Sequence, residues 1–298
     1  MGWERLLCLK KYCVYKIFII FAVMQKGVYI VSILLAVILL GSCSGYEKLL
    51  KSADYDAQYK AAVNYYENEN YGRAKQLFEN LSIHFRDKER ADSVSWYYAN
   101  TLMKMENYYM AAYHFNNYYR RYPYSSRAEE ALFMSAYCKY KEVPYYSLDQ
   151  QITKDAIADF EHFVEKYPQS TRIPEVNGYI DEMQSQLEKK EFEIAKGYFK
   201  TENYHAAYVS MKNFLNLYPM SQYREEAMYI ILRAGYIYAS NSREDKMQER
   251  LQAVINDFDS FVALFGDSKY LAPSQEIYTR TKALLSQLEE KESKENKK

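Results

Sequence analysis

Three stretches of the chain repeat one pattern: YMAAYHFNNYYRRYPYS (Tyr109–Ser125), TKDAIADFEHFVEKYPQS (Thr153–Ser170) and YHAAYVSMKNFLNLYPMS (Tyr204–Ser221). Each has an Ala, a Phe or Met four residues later, a Pro eight beyond that and a Ser two past the Pro, as in Ala111/Phe115/Pro123, Ala156/Phe160/Pro168 and Ala207/Met211/Pro219. An earlier copy reads Ala74, Phe78, Phe85 without the Pro, and a degenerate fifth reads Val254, Phe258, Phe265, Gly266, Ser268. The four-residue spacing puts the small and the bulky residue on one helix face, where the Ala admits a neighbouring helix and the ring fills the space beside it. Pro cannot continue a helix, and the residue before it avoids the α region, so Tyr-Pro reads as a stop. The Ser is placed to cap the next helix.

Asn70-Tyr71, Asn107-Tyr108 and Asn203-Tyr204 precede the Ala by three to four residues and read as the turn inside each helix pair. Ala62, Ala99 and Ala195 stand twelve residues before a repeat Ala, one on each first helix. This spacing looks like the tetratricopeptide repeat, a helix–turn–helix unit of about 34 residues. The intervals between repeat positions are 37, 45, 51 and 47, so the later connections carry insertions, one being KEVPYYSLDQQ (Lys141–Gln151). No alternating strand pattern persists, and 9 Gly and 6 Pro are too few for a turn-rich β-sandwich. The expected fold is all-α, a right-handed solenoid of roughly five tetratricopeptide-like helix pairs over residues 56–288. The charged stretch Glu289–Lys298 reads as a disordered tail.

The N-terminus points to a compartment. Val28–Leu40 (VYIVSILLAVILL) is 13 uncharged residues behind Lys26, the length of a signal-peptide core and short for a membrane span. Met24 offers an alternative start; an uncleaved anchor over Ile17–Leu40 is the competing reading, interrupted by Gln25, Lys26 and Gly27. Leu40-Gly41-Ser42-Cys43 resembles the bacterial lipobox, in which small residues let the peptidase take the chain extended and the Cys is acylated. Residues 1–42 are then a signal region, Cys43 is the lipid-attachment site, and 43–55 is a lipidated linker. Several acyl chains anchor stably where one is marginal. Ser44 in place of Asp gives no inner-membrane retention signal by the enterobacterial rule.

No constellation of catalytic type emerges. His84, His114, His162 and His205 fall in different repeats and read as helix-surface residues, not metal ligands. Cys138 reads as a small core residue, and Cys8 and Cys13 lie in the signal region. Glu129-Glu130 and Glu225-Glu226 follow the capping Ser, where negative charge offsets the helix dipole. The 39 basic and 39 acidic residues leave no net charge to draw the chain to nucleic acid. Most of the 34 tyrosines, such as Tyr98, Tyr118 and Tyr198, read as packing residues. Trp96, Asn100 and Lys104 form one helix stripe that could face the repeat groove and take an extended peptide.

A lipobox, a short spacer and five such repeats resemble the BamD (ComL) family. The likeness runs over about residues 45–288 and is most specific at SLDQQITKDAIADFEHFVEKYPQS (Ser147–Ser170) and YPMSQYREEA (Tyr218–Ala227). It implies a non-enzymatic scaffold without cofactors, lipid-anchored on the periplasmic face of the outer membrane. BamA, other subunits of the β-barrel assembly machinery and unfolded outer membrane proteins are the implied partners. By position, Arg224 and Arg233 are the expected BamA contacts. Two other lipoprotein types stay open: a tetratricopeptide protein coordinating envelope growth with cell division, and a SusD-like glycan-binding protein.

Overall fold

The computed structural model describes residues 43–85 and 89–295; the signal-peptide core and the first three lipobox residues lie outside them. Among the described residues there are twelve helices and no strand. They are α1 (Cys43–Leu50), α2 (Tyr55–Glu67), α3 (Tyr71–His84), α4 (Ala91–Lys104), α5 (Tyr108–Arg121), α6 (Ala128–Lys141), α7 (Gln151–Lys166), α8 (Ile173–Lys200), α9 (Tyr204–Leu217), α10 (Arg224–Ser240), α11 (Glu244–Leu264) and α12 (Leu271–Glu295). The described residues divide into two compact units, the first ending at Cys138 and the second beginning at Lys139.

In the first unit α2–α3 and α4–α5 form antiparallel hairpins, each helix packed on the next. Ala62, Ala74, Ala99 and Ala111 are fully buried, as are Phe78 and Phe115, so the small-and-large spacing does its expected job. The inner turns repeat closely. Asn70, Asn107 and Asn203 cap α3, α5 and α9, each accepting from the backbone N–H three residues on at 3.3–3.5 Å. The residue before each Asn, Glu69, Glu106 or Glu202, is left-handed at φ 59, 58 and 61°. Its neighbour's N–H then reaches back to a carbonyl five residues earlier, closing the preceding helix. Gly is the usual occupant of such a site, so the sequence alone gave no signal for it.

The outer stop is equally regular. Tyr122, Tyr167 and Tyr218 end α5, α7 and α9 with φ near −125° and ψ of 57–68°, and Phe265 ends α11 at −136° and 51° without a Pro behind it. The Ser of each copy donates its N–H to that aromatic residue's carbonyl at 3.0–3.1 Å. Its Oγ accepts from the N–H two residues on, at 2.9–3.3 Å. The following helix begins three residues after the Ser, so the Ser braces the approach turn and is not itself the helix cap. A further recurring position, seven residues after the repeat Ala or Val, holds Tyr118, Phe163, Phe214 and Phe261, all buried.

In the second unit α7 packs on α8, and α8–α9, α9–α10, α10–α11 and α11–α12 follow in order. The 28-residue α8 carries Val176 and Met183 in its first half and Phe192 and Ala195 in its second, which pairs with α9. Gly235 of α10 takes the small-residue place of the fifth pair. A Cβ there would meet the Tyr208 ring at 3.0 Å and Val254 Cγ2 at 3.1 Å. Gly235→Ala is expected to stay near neutral, because about 1 kcal/mol of helix propensity offsets the tight contact. Gly235→Leu is expected to lose about 1–3 kcal/mol by overpacking, read as a lower denaturation midpoint.

Four expectations need correction. Residues 43–50 form a helix docked on the first unit, where a linker was expected. The last helix runs to Glu295, into the stretch expected to be disordered, and Lys291 Nζ lies 2.6 Å from Glu244 Oε1. Tyr198 is 40% exposed and is not a packing residue like Tyr98 and Tyr118. His114, expected at the helix surface, is half-buried 4.6 Å from the Tyr98 ring, and burial lowers its pKa.

Candidate functional site: the anchor end and the exposed faces

The first helix, α1, is held by two clamps. Tyr46, one turn into α1, is buried against Tyr65, and its hydroxyl donates to Gln76 Oε1 at 2.8 Å and to Arg73 O at 3.1 Å. The Arg73 guanidinium lies 5.2 Å from the same ring, and burial raises the tyrosine's pKa. At the other end of α1, Gln58 is fully buried. Its Nε2 donates to the carbonyls of Leu49, Leu50 and Ser52 at 2.8–3.3 Å, while its Oε1 accepts from Asn80 at 3.0 Å. Those carbonyls would otherwise be orphans at a helix C-terminus. No run of sequence pointed to either clamp, because the partners lie up to 30 residues away.

Trp96, Asn100 and Lys104 stand four residues apart on α4, and much of this stripe is spent inward. Trp96 is half-buried, edge-on to Phe115 at 5.7 Å and to Tyr118 at 5.4 Å, with the Arg127 guanidinium 5.5 Å from its ring. Asn100 Nδ2 donates to the Trp96 carbonyl of its own helix at 2.9 Å. Lys104 is exposed. Below them Tyr118 donates to Asp92 and shares 2.8 Å with Ser125 Oγ. Burial and then the Asp92 bond raise the Tyr118 pKa to about 12.

The two arginines on α10 are not brought together. Nine residues apart, they project from opposite sides of the helix, about 13 Å apart along its axis. Arg224 opens the first turn, half-exposed. Arg233 is exposed and stacks over Phe199 at 4.6 Å and Tyr229 at 5.7 Å. Neighbouring Glu226 is paired instead with Lys196 at 2.6 Å.

The insertion between α6 and α7 is an ordered loop. Gln150 is buried, donates to the carbonyls of Tyr145 and Leu148 at 3.0 and 3.1 Å, and accepts from Thr153 at 2.8 Å. Lys190 of α8 holds the Leu148 carbonyl at 2.5 Å. The loop therefore presents Tyr145 and Leu148 beside α8; Ile152 in the first turn of α7 is exposed too, as are Ile194 and Tyr198 of α8, one and two turns beyond Lys190. Sequence reasoning missed this face; its signal was the apolar content of an insertion that had to be outside the core.

Among the described residues no three His, Cys, Asp or Glu side chains lie close enough to hold a metal ion. The second unit has two shallow clefts, one of about 290 Å³ lined by Lys212, Met228 and Asp257 and one of about 200 Å³ lined by Tyr208, Gly235 and Arg250. Lys212 Nζ lies 2.9 Å from Asp257, and the Tyr208 hydroxyl donates to Asp257 at 3.0 Å. Among the described residues no helix is long and apolar enough to cross a membrane.

Comparison with known proteins adds a family. YfiO, described as an outer membrane lipoprotein family, matches residues 52–209 and, in an overlapping second segment, 184–294. A curated relative, the outer membrane protein assembly factor BamD of Caulobacter vibrioides, is 25% identical over 158 residues. That match takes in 51% of this chain and 52% of the relative, so the chain spans about half the length of the curated relative it matches. A tetratricopeptide repeat protein of Bacteroides fragilis aligns over 78% of this chain and 100% of its own at 12% identity, with a TM-score of 0.38, too low to carry an argument.

Proposed function

The chain belongs to the YfiO family of outer membrane lipoproteins, and from that premise we propose that it is a non-enzymatic scaffold of outer-membrane β-barrel assembly. In this reading Cys43 carries the acyl chains that hold it to the periplasmic face of the outer membrane, and BamA and unfolded outer membrane proteins are its partners. The observation that carries the reading is the family match, which begins nine residues after Cys43 and extends to residue 294. The paired helices support it, since they offer faces for protein binding. No separate observation favours the envelope-coordination or glycan-binding alternatives.

The geometry favours some of these surfaces over others. Trp96 is tied into the core of the first unit, so on α4 it is Lys104 that remains outward for a client. The face of Tyr145, Leu148, Ile152, Ile194 and Tyr198 offers apolar contact of the kind an unfolded chain seeks. Arg233, outward over two rings, is the better of the two arginines for a BamA contact, since Arg is enriched in interface hot spots. Pull-down from detergent-solubilised outer membranes is expected to recover BamA with the wild-type chain. Arg233→Glu is expected to reduce that recovery and Arg224→Glu to change it less, with circular dichroism unaltered in both. Wild-type protein that recovers peptidoglycan synthases and no BamA would transfer the reading to envelope coordination.

A further inference from the structure

We infer that the edge of the first unit formed by its hairpin turns rests on the lipid surface, with Tyr109, Tyr113 and Met105 in contact with the headgroup region. The inference builds on the reading of Cys43 as the acylated residue. The backbone of α1 begins at Cys43. Tyr46 meets Arg73 and Gln76 near the start of α3, and Asn80, further along α3, reaches the Leu50 carbonyl at 3.4 Å. α1 therefore runs parallel to α3, and its first residue lies about 4.5 Å before Tyr46, level with the turn that opens α3. No slack chain separates the tether from the fold: two residues lie between Cys43 and Tyr46, which is already docked on the α2–α3 hairpin.

The second hairpin turns at the same edge. Arg90, at the start of α4, pairs with Asp56 at the start of α2 and lies over the Tyr59 ring at 5.4 Å. α2 and α4 thus run in the same direction, and the α4–α5 turn falls beside the α2–α3 turn. That turn carries Met105, 41% exposed, and Tyr109, 76% exposed, with Tyr113, 58% exposed, one helical turn further in. Tyrosine, with an apolar ring and a polar tip, is the side chain enriched at headgroup level. The same edge mixes Glu69 and Glu106 with Arg73 and Lys104. It has no single-sign field, so the contact depends on the tether and the rings and responds little to salt.

The test uses the full chain with its own leader, purified acylated and reconstituted into vesicles of phosphatidylcholine brominated near the headgroup. Trp3 and Trp96 are the two tryptophans, and Trp3 lies in the signal region, so Trp96→Phe leaves the mature chain without one. In that background Tyr109→Trp is expected to be quenched several-fold more than Tyr124→Trp. Tyr124 is fully exposed beyond the far end of α5, about 20 Å away. Equal quenching at the two positions, or stronger quenching at Tyr124→Trp, overturns the inference. Quenching at neither position, with acyl chains confirmed on Cys43 by mass, overturns the inference and leaves the lipoprotein reading intact. Absence of acyl mass on Cys43 overturns both.

Discussion

Cys43→Ala is expected to abolish incorporation of labelled palmitate and to leave a precursor that keeps the segment before Cys43. The apolar run Val28–Leu40 would still hold this precursor at a membrane, so fractionation alone does not report the loss; label and gel mobility do. The expectation rests on Leu40-Gly41-Ser42-Cys43 closing an uncharged segment of signal-peptide length. The energetic reason for several chains is plain: each buried CH₂ contributes about 0.8 kcal/mol, and a single chain binds only reversibly. Tyr46→Ala separates chemistry from docking. It removes the clamp on α1 while leaving the lipobox unchanged, so its labelling is expected to match wild type. Undiminished label in Cys43→Ala would sink the lipid-attachment reading.

Phe115→Ala carries the largest expected stability loss. Phe115 is fully buried, edge-on to Trp96, and one turn after Ala111 at the close approach of α4 and α5. Removing a buried Phe typically costs about 3–5 kcal/mol, because the lost contacts leave a cavity that the surroundings fill only in part. That is a large share of the 5–15 kcal/mol by which domains usually exceed their unfolded state. Thermal unfolding of a fragment beginning at Cys43 is expected to move down by roughly 10 °C, at about 2–4 °C per kcal/mol for this size class. Hydrogen exchange is expected to locate the loss in α4 and α5. Tyr113→Ala, two residues before Phe115 and exposed, serves as the control and is expected to fall within about 0.5 kcal/mol of wild type. A midpoint for Phe115→Ala that matches this control would show the repeat register to be misplaced.

The legible and the illegible parts differ in the range of the interactions behind them. The pairing of Ala with Phe or Met, the Tyr-Pro stop, the Asn at the inner turn and the acidic first turns of α6 and α10 all act within one helix or one turn. Spacing along the chain therefore displays them directly, and the structure places them as read. The left-handed Glu of the inner turn escaped because composition points to Gly there, and the surrounding hydrogen bonds override the preference. The docking of α1 escaped for another reason: Tyr46 and Gln58 make their bonds across up to 30 residues, and no local pattern announces them.

The candidate binding residues show the same division. That Arg224 and Arg233 cannot share a face follows from nine residues at 100° each, and the sequence alone contained it. That Trp96 turns toward Phe115, Tyr118 and Arg127, and that Lys190 lifts an apolar loop beside Ile194, required three helices to be in place. By itself the sequence determined an all-helical repeat chain, because periodicity and helix punctuation are local physics. Only the tertiary structure decided which rings were consumed by the core and which stayed outside, because burial belongs to the neighbours a residue meets after folding.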